Sequence, residues 1–260
     1  MPVFKEKLQE LYTQSLDGRI MPELAQHEPQ YHPWLEYNGS LTTYNELFLP
    51  VFRPGEKLET IAQKSLTEKG SFIGIDLCGQ GDFLAELGAT AGLSVCLGHD
   101  YKRCQEPTGT IVKIDADLLL NQSWERIDQW IADHGKPDLV VCAPGSGNRY
   151  FFDWQRENTF PKYHDYQYHT YSRATFFALL WKITDILAEN GVLLLDFQHS
   201  EKRFLWLQKS RQYWLENPNL YQQLPGNIAV DVNLKEGVLA IRKIPAANNP
   251  TITRTTILKT

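Results

Sequence analysis

The stretch "SFIGIDLCGQGDFLAEL", Ser71 to Leu87, runs from an apolar strand into a glycine-spaced turn and on toward a helix. Gly79 and Gly81 lack a Cβ, so the backbone there can turn sharply and come close to a ligand. The amides that open the following helix could receive a carboxylate or a phosphate. Taken alone, the stretch also fits a tight strand-to-helix connection that holds nothing. The residues downstream have to decide.

From Ser71 onward, short apolar runs alternate with helix-like segments, the pattern of βαβ units and a mainly parallel sheet. "SFIGIDL" is the first expected strand, and "DFLAELGATAG" a helix closing on Gly92. "LSVCLGHD" and "GTIVKIDA" are the second and third strands. "SWERIDQWIADHG" is a helix with Ser123 as N-cap, Trp124, Ile127 and Ile131 on one face, and Gly135 at its end. "PDLVVCAP" is the fourth strand, "SRATFFALLWKITDILAENG" a long helix ending at Gly191, and "GVLLLDF" the fifth strand. "SEKRFLWLQKSRQYWLEN" is a further amphipathic helix. The last two strands, "NIAVDVN" and "GVLAIRKI", are joined only by "LKE", too short for a parallel crossover, so they form an antiparallel hairpin.

Two regions stand outside this alternation. Residues 1–70 read as a mainly helical N-terminal cap to a nucleotide-type domain at 71–245. Residues 148–171, dense in Tyr, Phe, Trp and His, form an aromatic insertion, long for a connection between the fourth strand and its helix. Residues 246–260 read as a tail, frayed or lying along an edge.

The bulk properties narrow the function classes. The chain has 260 residues, 42% of them hydrophobic and 22% charged, as in ordinary globular proteins. A net charge of -5 provides no basic field for sequence-independent binding of nucleic acid. Cys78, Cys96, Cys104 and Cys142 show no CxxC spacing, which favours buried reduced thiols over a zinc site or a disulfide framework. No metal is expected. The start lacks the apolar run of a signal peptide, and "ATFFALLWKITDILA" is too short and too charged to span a bilayer. The expectation is a soluble cytoplasmic protein without membrane association, of undefined oligomeric state.

In an open parallel sheet, ligands bind at the carboxyl ends of the strands. Asp100 ends the second strand, roughly twenty residues past the glycines, where a carboxylate accepts hydrogen bonds from ribose hydroxyls. Asp115 and Ala116 end the third. A dinucleotide fingerprint needs G-x-G-x-x-G, but the third position falls on Leu84. Asp76, at the end of the first strand, also opposes an anionic pyrophosphate and suits a ligand that carries positive charge.

Together, "IDLCGQGDF", "GHD", "KIDAD" and "DLVVCAPG" resemble motifs I to IV of the class I S-adenosylmethionine-dependent methyltransferases, over about residues 70 to 243. No subfamily is recognised. The resemblance implies a Rossmann-like, doubly wound α/β fold. Its seven-stranded sheet is mostly parallel, with a C-terminal antiparallel hairpin. It further implies S-adenosylmethionine as the cofactor. Asp76, Gly79 and Gly81 would surround the methionine part, Cys78 and Phe83 would belong to the same cofactor site, and Asp100 would hold the ribose. Asp115 and Ala116 would meet the adenine edge, and Cys142 and Ala143 would line the methyl-donor face. The "APGSG" after the fourth strand departs from the N-P-P-Y type of amino-methylating enzymes, and the Asp and Lys set of ribose 2′-O methylators is absent.

Methyl transfer needs positioning and, where the nucleophile carries a proton, a base near the donor methyl. Asp153, His164 and His169, in the aromatic insertion, are the candidates for that base, and packing among aromatics is the competing role for the histidines. The expected activity is methyl transfer to a small molecule or a protein side chain, with RNA ranked below both. A regulatory protein that keeps the fold and the cofactor but has no turnover is the alternative from another class. An NAD-dependent oxidoreductase is disfavoured by the missing glycine and the hairpin.

Overall fold

The computed structural model describes residues 6–7, 10, 40–77, 79–96, 109–116, 118, 121–143, 177–196, 218–245 and 253–258. Helix α1 (Leu41–Phe48) is capped by the Ser40 hydroxyl, which accepts the Thr43 amide. Helix α2 (Leu58–Lys69) ends at Gly70. The sheet begins with β1 (Ile73–Leu77), followed by the short helix α3 (Asp82–Glu86), β2 (Ala91–Cys96) and β3 (Ile111–Asp115). Helix α4 (Asn121–His134) and β4 (Leu139–Cys142) come next. Residues 177–186 form helix α5, which leads to β5 (Val192–Asp196), β6 (Ile228–Asn233), β7 (Val238–Lys243) and β8 (Thr253–Leu258).

The strands order themselves β3-β2-β1-β4-β5-β7-β6-β8. Strands β3 to β5 pair in parallel, and β7 inserts antiparallel between β5 and β6. This is the mostly parallel, doubly wound Rossmann-like sheet of seven strands with a terminal hairpin. The tail takes the edge-lying option: β8 adds an eighth strand parallel to β6. Its sequence, Thr253 to Leu258, is rich in β-branched residues, which suit a pleated edge.

Side chains alternate across the sheet and bury both faces. Ile75, Leu77, Leu93, Val95, Val140, Cys142, Leu193 and Leu195 face the layer built by α4 and α5. Leu139, Val141, Val192, Leu194, Val238 and Ala240 face α1, α2 and α3. Leu193, Leu194 and Val140 are fully buried, and a side chain removed from water this way contributes about 1.5–3 kcal/mol.

Three local expectations are corrected. The helix after β1 stops at Glu86 and does not reach Gly92. Gly88 takes φ +74 there, and the amides of Leu87, Gly88 and Ala89 close back on Phe83, Ala85 and Leu84. Gly92 instead lies within β2, where Ile111 of β3 packs so closely that a Cβ would sit 2.3 Å from it. Ser123 is not the cap of α4, which begins at Asn121; Ser123 is buried in the first turn, beside Trp124, whose indole N–H donates to the Leu118 carbonyl at 2.8 Å. Gly135 closes α4 as expected, its amide on the Ile131 carbonyl. Helix α5 ends at residue 186, short of Gly191, since Asn190 already has φ 64 and its amide reaches Lys243. The amphipathic helix expected at 200–217 and the insertion at 148–171 lie outside the described residues.

Candidate cofactor site

Strands β1 to β5 deliver their carboxyl ends to one edge of the sheet: Leu77, Cys96, Asp115, Cys142 and Asp196. The glycine turn after β1 sits at the centre of that edge, because β1 lies between β2 and β4.

Asp76 faces the α1–α3 side of the sheet, one residue before the end of β1, and is fully buried. Its Oδ2 accepts the Gly81 amide at 2.8 Å, and the side chain of Tyr44 hydrogen-bonds the same carboxyl. Its Oδ1 is buried with no hydrogen-bond partner among the described residues. A buried carboxylate short of a partner is costly. Burial pushes Asp76 up from its ordinary value of 3.8 to about 7, against the Gly81 amide, Tyr44 and the Lys113 charge, which favour ionisation; Asp82 adds to the rise.

The turn is shaped around this carboxyl. A Cβ on residue 79 would lie 2.2 Å from Asp76 Oδ2, so only glycine leaves room for it. The Gly79 carbonyl is held by the Ser94 hydroxyl at 2.6 Å, which ties the turn to β2. Gly81 takes φ +74 as it enters α3, a left-handed conformation that favours glycine, and a Cβ there would press on Ser94 at 2.9 Å. Beneath the turn, Phe83 is 1% exposed and packs in the core against Tyr44, ring centroids 4.5 Å apart. Leu84, at the position a dinucleotide fingerprint gives to its third glycine, is fully buried over Gly74.

The other expected residues fall as follows. Asp115 ends β3 exposed, its carbonyl accepting from Arg126 at 2.8 Å, with Ala116 buried behind it. Cys142 and Ala143 end β4, Cys142 in the core of the α4 face and Ala143 in that of the opposite face. The Lys113 ammonium is buried on β3 and pairs with Asp82 at 3.0 Å. Cys78, Asp100, Asp153, His164 and His169 lie outside the described residues.

Three residues at this edge escaped the sequence reading. Tyr44 comes from a helix with no motif of its own, and only the fold brings it to Asp76. Ser94 is a lone polar residue inside an apolar strand run, a signal that was there to be used. Asp196 is a buried acid ending β5, one more carboxylate at the same edge. Among the described residues, no group of three or more His, Cys, Asp or Glu could hold a metal, and no helix is long and apolar enough to cross a membrane.

No protein-family description matches the chain, and no curated protein matches it. Solved structures do resemble it. One is the MycE methyltransferase of the mycinamycin biosynthetic pathway, in complex with Mg, S-adenosylhomocysteine and mycinamycin VI (12% identity, TM-score 0.38). The match covers 83% of this chain and 58% of that one, so the chain spans less than two thirds of that protein. A TehB-like methyltransferase of Corynebacterium glutamicum is similar at 15% identity and TM-score 0.39, over 74% of this chain and 90% of that one. A Lactococcus lactis protein described as a hemolysin is similar at 11% identity and TM-score 0.37, over 81% and 95%. Values this low mark a likeness and identify no activity.

Proposed function

We propose that the chain is a class I S-adenosylmethionine-dependent methyltransferase acting on a small molecule or a protein side chain. One observation carries this reading: Asp76 is a fully buried carboxyl with one oxygen unpartnered among the described residues, enclosed by a turn that only glycine permits, at the carboxyl edge of the sheet, where ligands bind in open α/β sheets. Such a carboxyl fits a cationic group and repels a pyrophosphate. Leu84, filling the third-glycine position with a packed side chain, argues the same way against a dinucleotide.

The residues fit the cofactor, which when bound supplies an activated methyl on a sulfonium. Asp76, Cys78, Gly79 and Gly81 would hold its methionine end, with Phe83 supporting the turn from the core. Asp100 would hold the ribose, Asp115 and Ala116 the adenine edge, and Cys142 and Ala143 the donor face. In this organisation residues 1–70 cap the domain at 71–245, and the insertion at 148–171 serves as a lid that excludes water from the acceptor. Asp153, His164 or His169 would take the acceptor's proton as the methyl is transferred. Lacking a basic field, the protein would act in the cytoplasm on an acceptor other than bulk nucleic acid.

Turnover with labelled S-adenosylmethionine and fractionated cell extract tests this. Label entering a small-molecule or protein fraction is expected. Tight cofactor binding with no labelled product in any fraction would favour a regulatory protein instead. Deleting the interior of 148–171 should abolish transfer and leave cofactor affinity within a few-fold.

A further inference from the structure

Tyr44 lies outside every motif, yet it is the one side chain from the N-terminal helices that hydrogen-bonds Asp76 among the described residues. Its ring is 1% exposed and is gripped on two sides, by Phe48 in a stacked contact at 6.5 Å and by Phe83 in a tilted one at 4.5 Å. Phe83 belongs to α3, the helix that the glycine turn opens. The hydroxyl is therefore aimed by packing that joins α1 to the turn itself.

We infer that Tyr44 is a positioning residue whose hydroxyl holds the Asp76 carboxyl in the orientation that a cationic cofactor needs. The role rests on the cofactor reading above. The surroundings leave few other groups for the task. At the register of Asp76, β2 presents Ser94 and β4 presents Val141, and neither carries charge. From α3, Asp82 opposes ionisation; from β3, Lys113 favours it, but its ammonium is already paired with Asp82. The Gly81 amide is the remaining donor, and it belongs to the turn. Tyr44 is thus the one hydrogen bond to the carboxyl that comes from outside the strand-and-turn unit among the described residues. It makes the seating of α1 a condition for a competent site.

The test is Tyr44→Phe, which keeps the ring and its packing and removes the hydroxyl alone. Stability to urea is measured without ligand for the unaltered protein, Tyr44→Phe and Asp76→Asn, between about pH 5.5 and 8.5, a range bracketing the midpoint of the carboxyl. In the unaltered protein, stability should fall with rising pH and level off near the Asp76 midpoint. In Tyr44→Phe the levelling should move up by about one pH unit, the size of a lost hydrogen bond to a charged group. In Asp76→Asn that dependence should vanish. S-adenosylhomocysteine binding by Tyr44→Phe should be roughly five- to tenfold weaker near pH 7 and converge with the unaltered protein at the alkaline end. An unmoved levelling point in Tyr44→Phe would overturn the inference, whatever the ligand does. A moved levelling point in a protein that binds S-adenosylhomocysteine at no pH would uphold the hold of Tyr44 on Asp76 and overturn the cofactor reading.

Discussion

Two buried carboxyls sit on opposite edges of the same sheet, and they are treated differently. Asp138, just before β4 at the amino edge, is 3% exposed and fully engaged. Its Oδ2 accepts the Ile73 amide at 3.0 Å, its Oδ1 accepts the Lys69 ammonium from α2, and its own amide and carbonyl bond Ile73 and Val192. It fastens α2, β1, β4 and β5 together. Asp76, at the carboxyl edge, has an amide and a hydroxyl for one part of its carboxyl, and Oδ1 has no partner among the described residues. A carboxyl that serves the fold has its hydrogen bonds completed within the fold. One left a bond short in a turn shaped around it is the arrangement on which the proposed cofactor role of Asp76 rests. Arg242 is another completed site: its guanidinium is bonded to Glu56, Asp231 and the Val51 carbonyl, and it ties β7 to the segment after α1.

The comparison breaks first, and with the largest effect, on pH. Asp76 binds its proton more tightly folded, at about 7, than unfolded, near 3.8. Between those values the folded state carries a proton that the unfolded state has lost, so stability decreases as pH rises from about 4 to about 7. The loss should total ~4 kcal/mol and level off above that window. Asp76→Asn should remove this slope, and denaturation at several pH values checks it.

Next in size is Asp138→Ala. It leaves the Ile73 amide without its bond and should cost about 2–3 kcal/mol of stability, with Lys69 reaching water at little expense. Affinity of the folded protein for S-adenosylhomocysteine should not change. If binding falls together with stability, the two edges are not independent.

Gly79→Ala should affect binding as well as stability. Its stability cost is on the order of 1–3 kcal/mol, from a methyl forced against Asp76, and cofactor binding should be lost. Calorimetry and urea denaturation of the one variant give both numbers. The smallest effect is expected at Asp100→Ala, about 1–3 kcal/mol in cofactor affinity with stability intact, as for one lost charged hydrogen bond.

Much of this contrast was legible before the fold was known, and the reasons are local. The link "LKE" forced an antiparallel hairpin by its length alone. The glycine spacing after β1 and the acids at the strand ends pointed to the carboxyl edge of the sheet, where the turn and Asp115 lie. What stayed hidden depends on tertiary contact. Gly92 reads as a helix stop, but Gly88 does that work, and Gly92 is glycine because of a neighbour on another strand. Tyr44 is an ordinary aromatic in an ordinary helix until α1 docks. Asp138 follows Pro137 like any polar residue before a strand, and nothing in the sequence says that Lys69 of α2 will reach it.

The most direct measurement is a calorimetric titration of the intact protein with S-adenosylhomocysteine and, separately, with NAD, repeated on Asp76→Asn. Saturable binding of S-adenosylhomocysteine is expected, together with none of NAD and a sharp loss for Asp76→Asn. Saturable binding of NAD with no response to the sulfur ligand would contradict the assignment of Asp76 to a cationic cofactor.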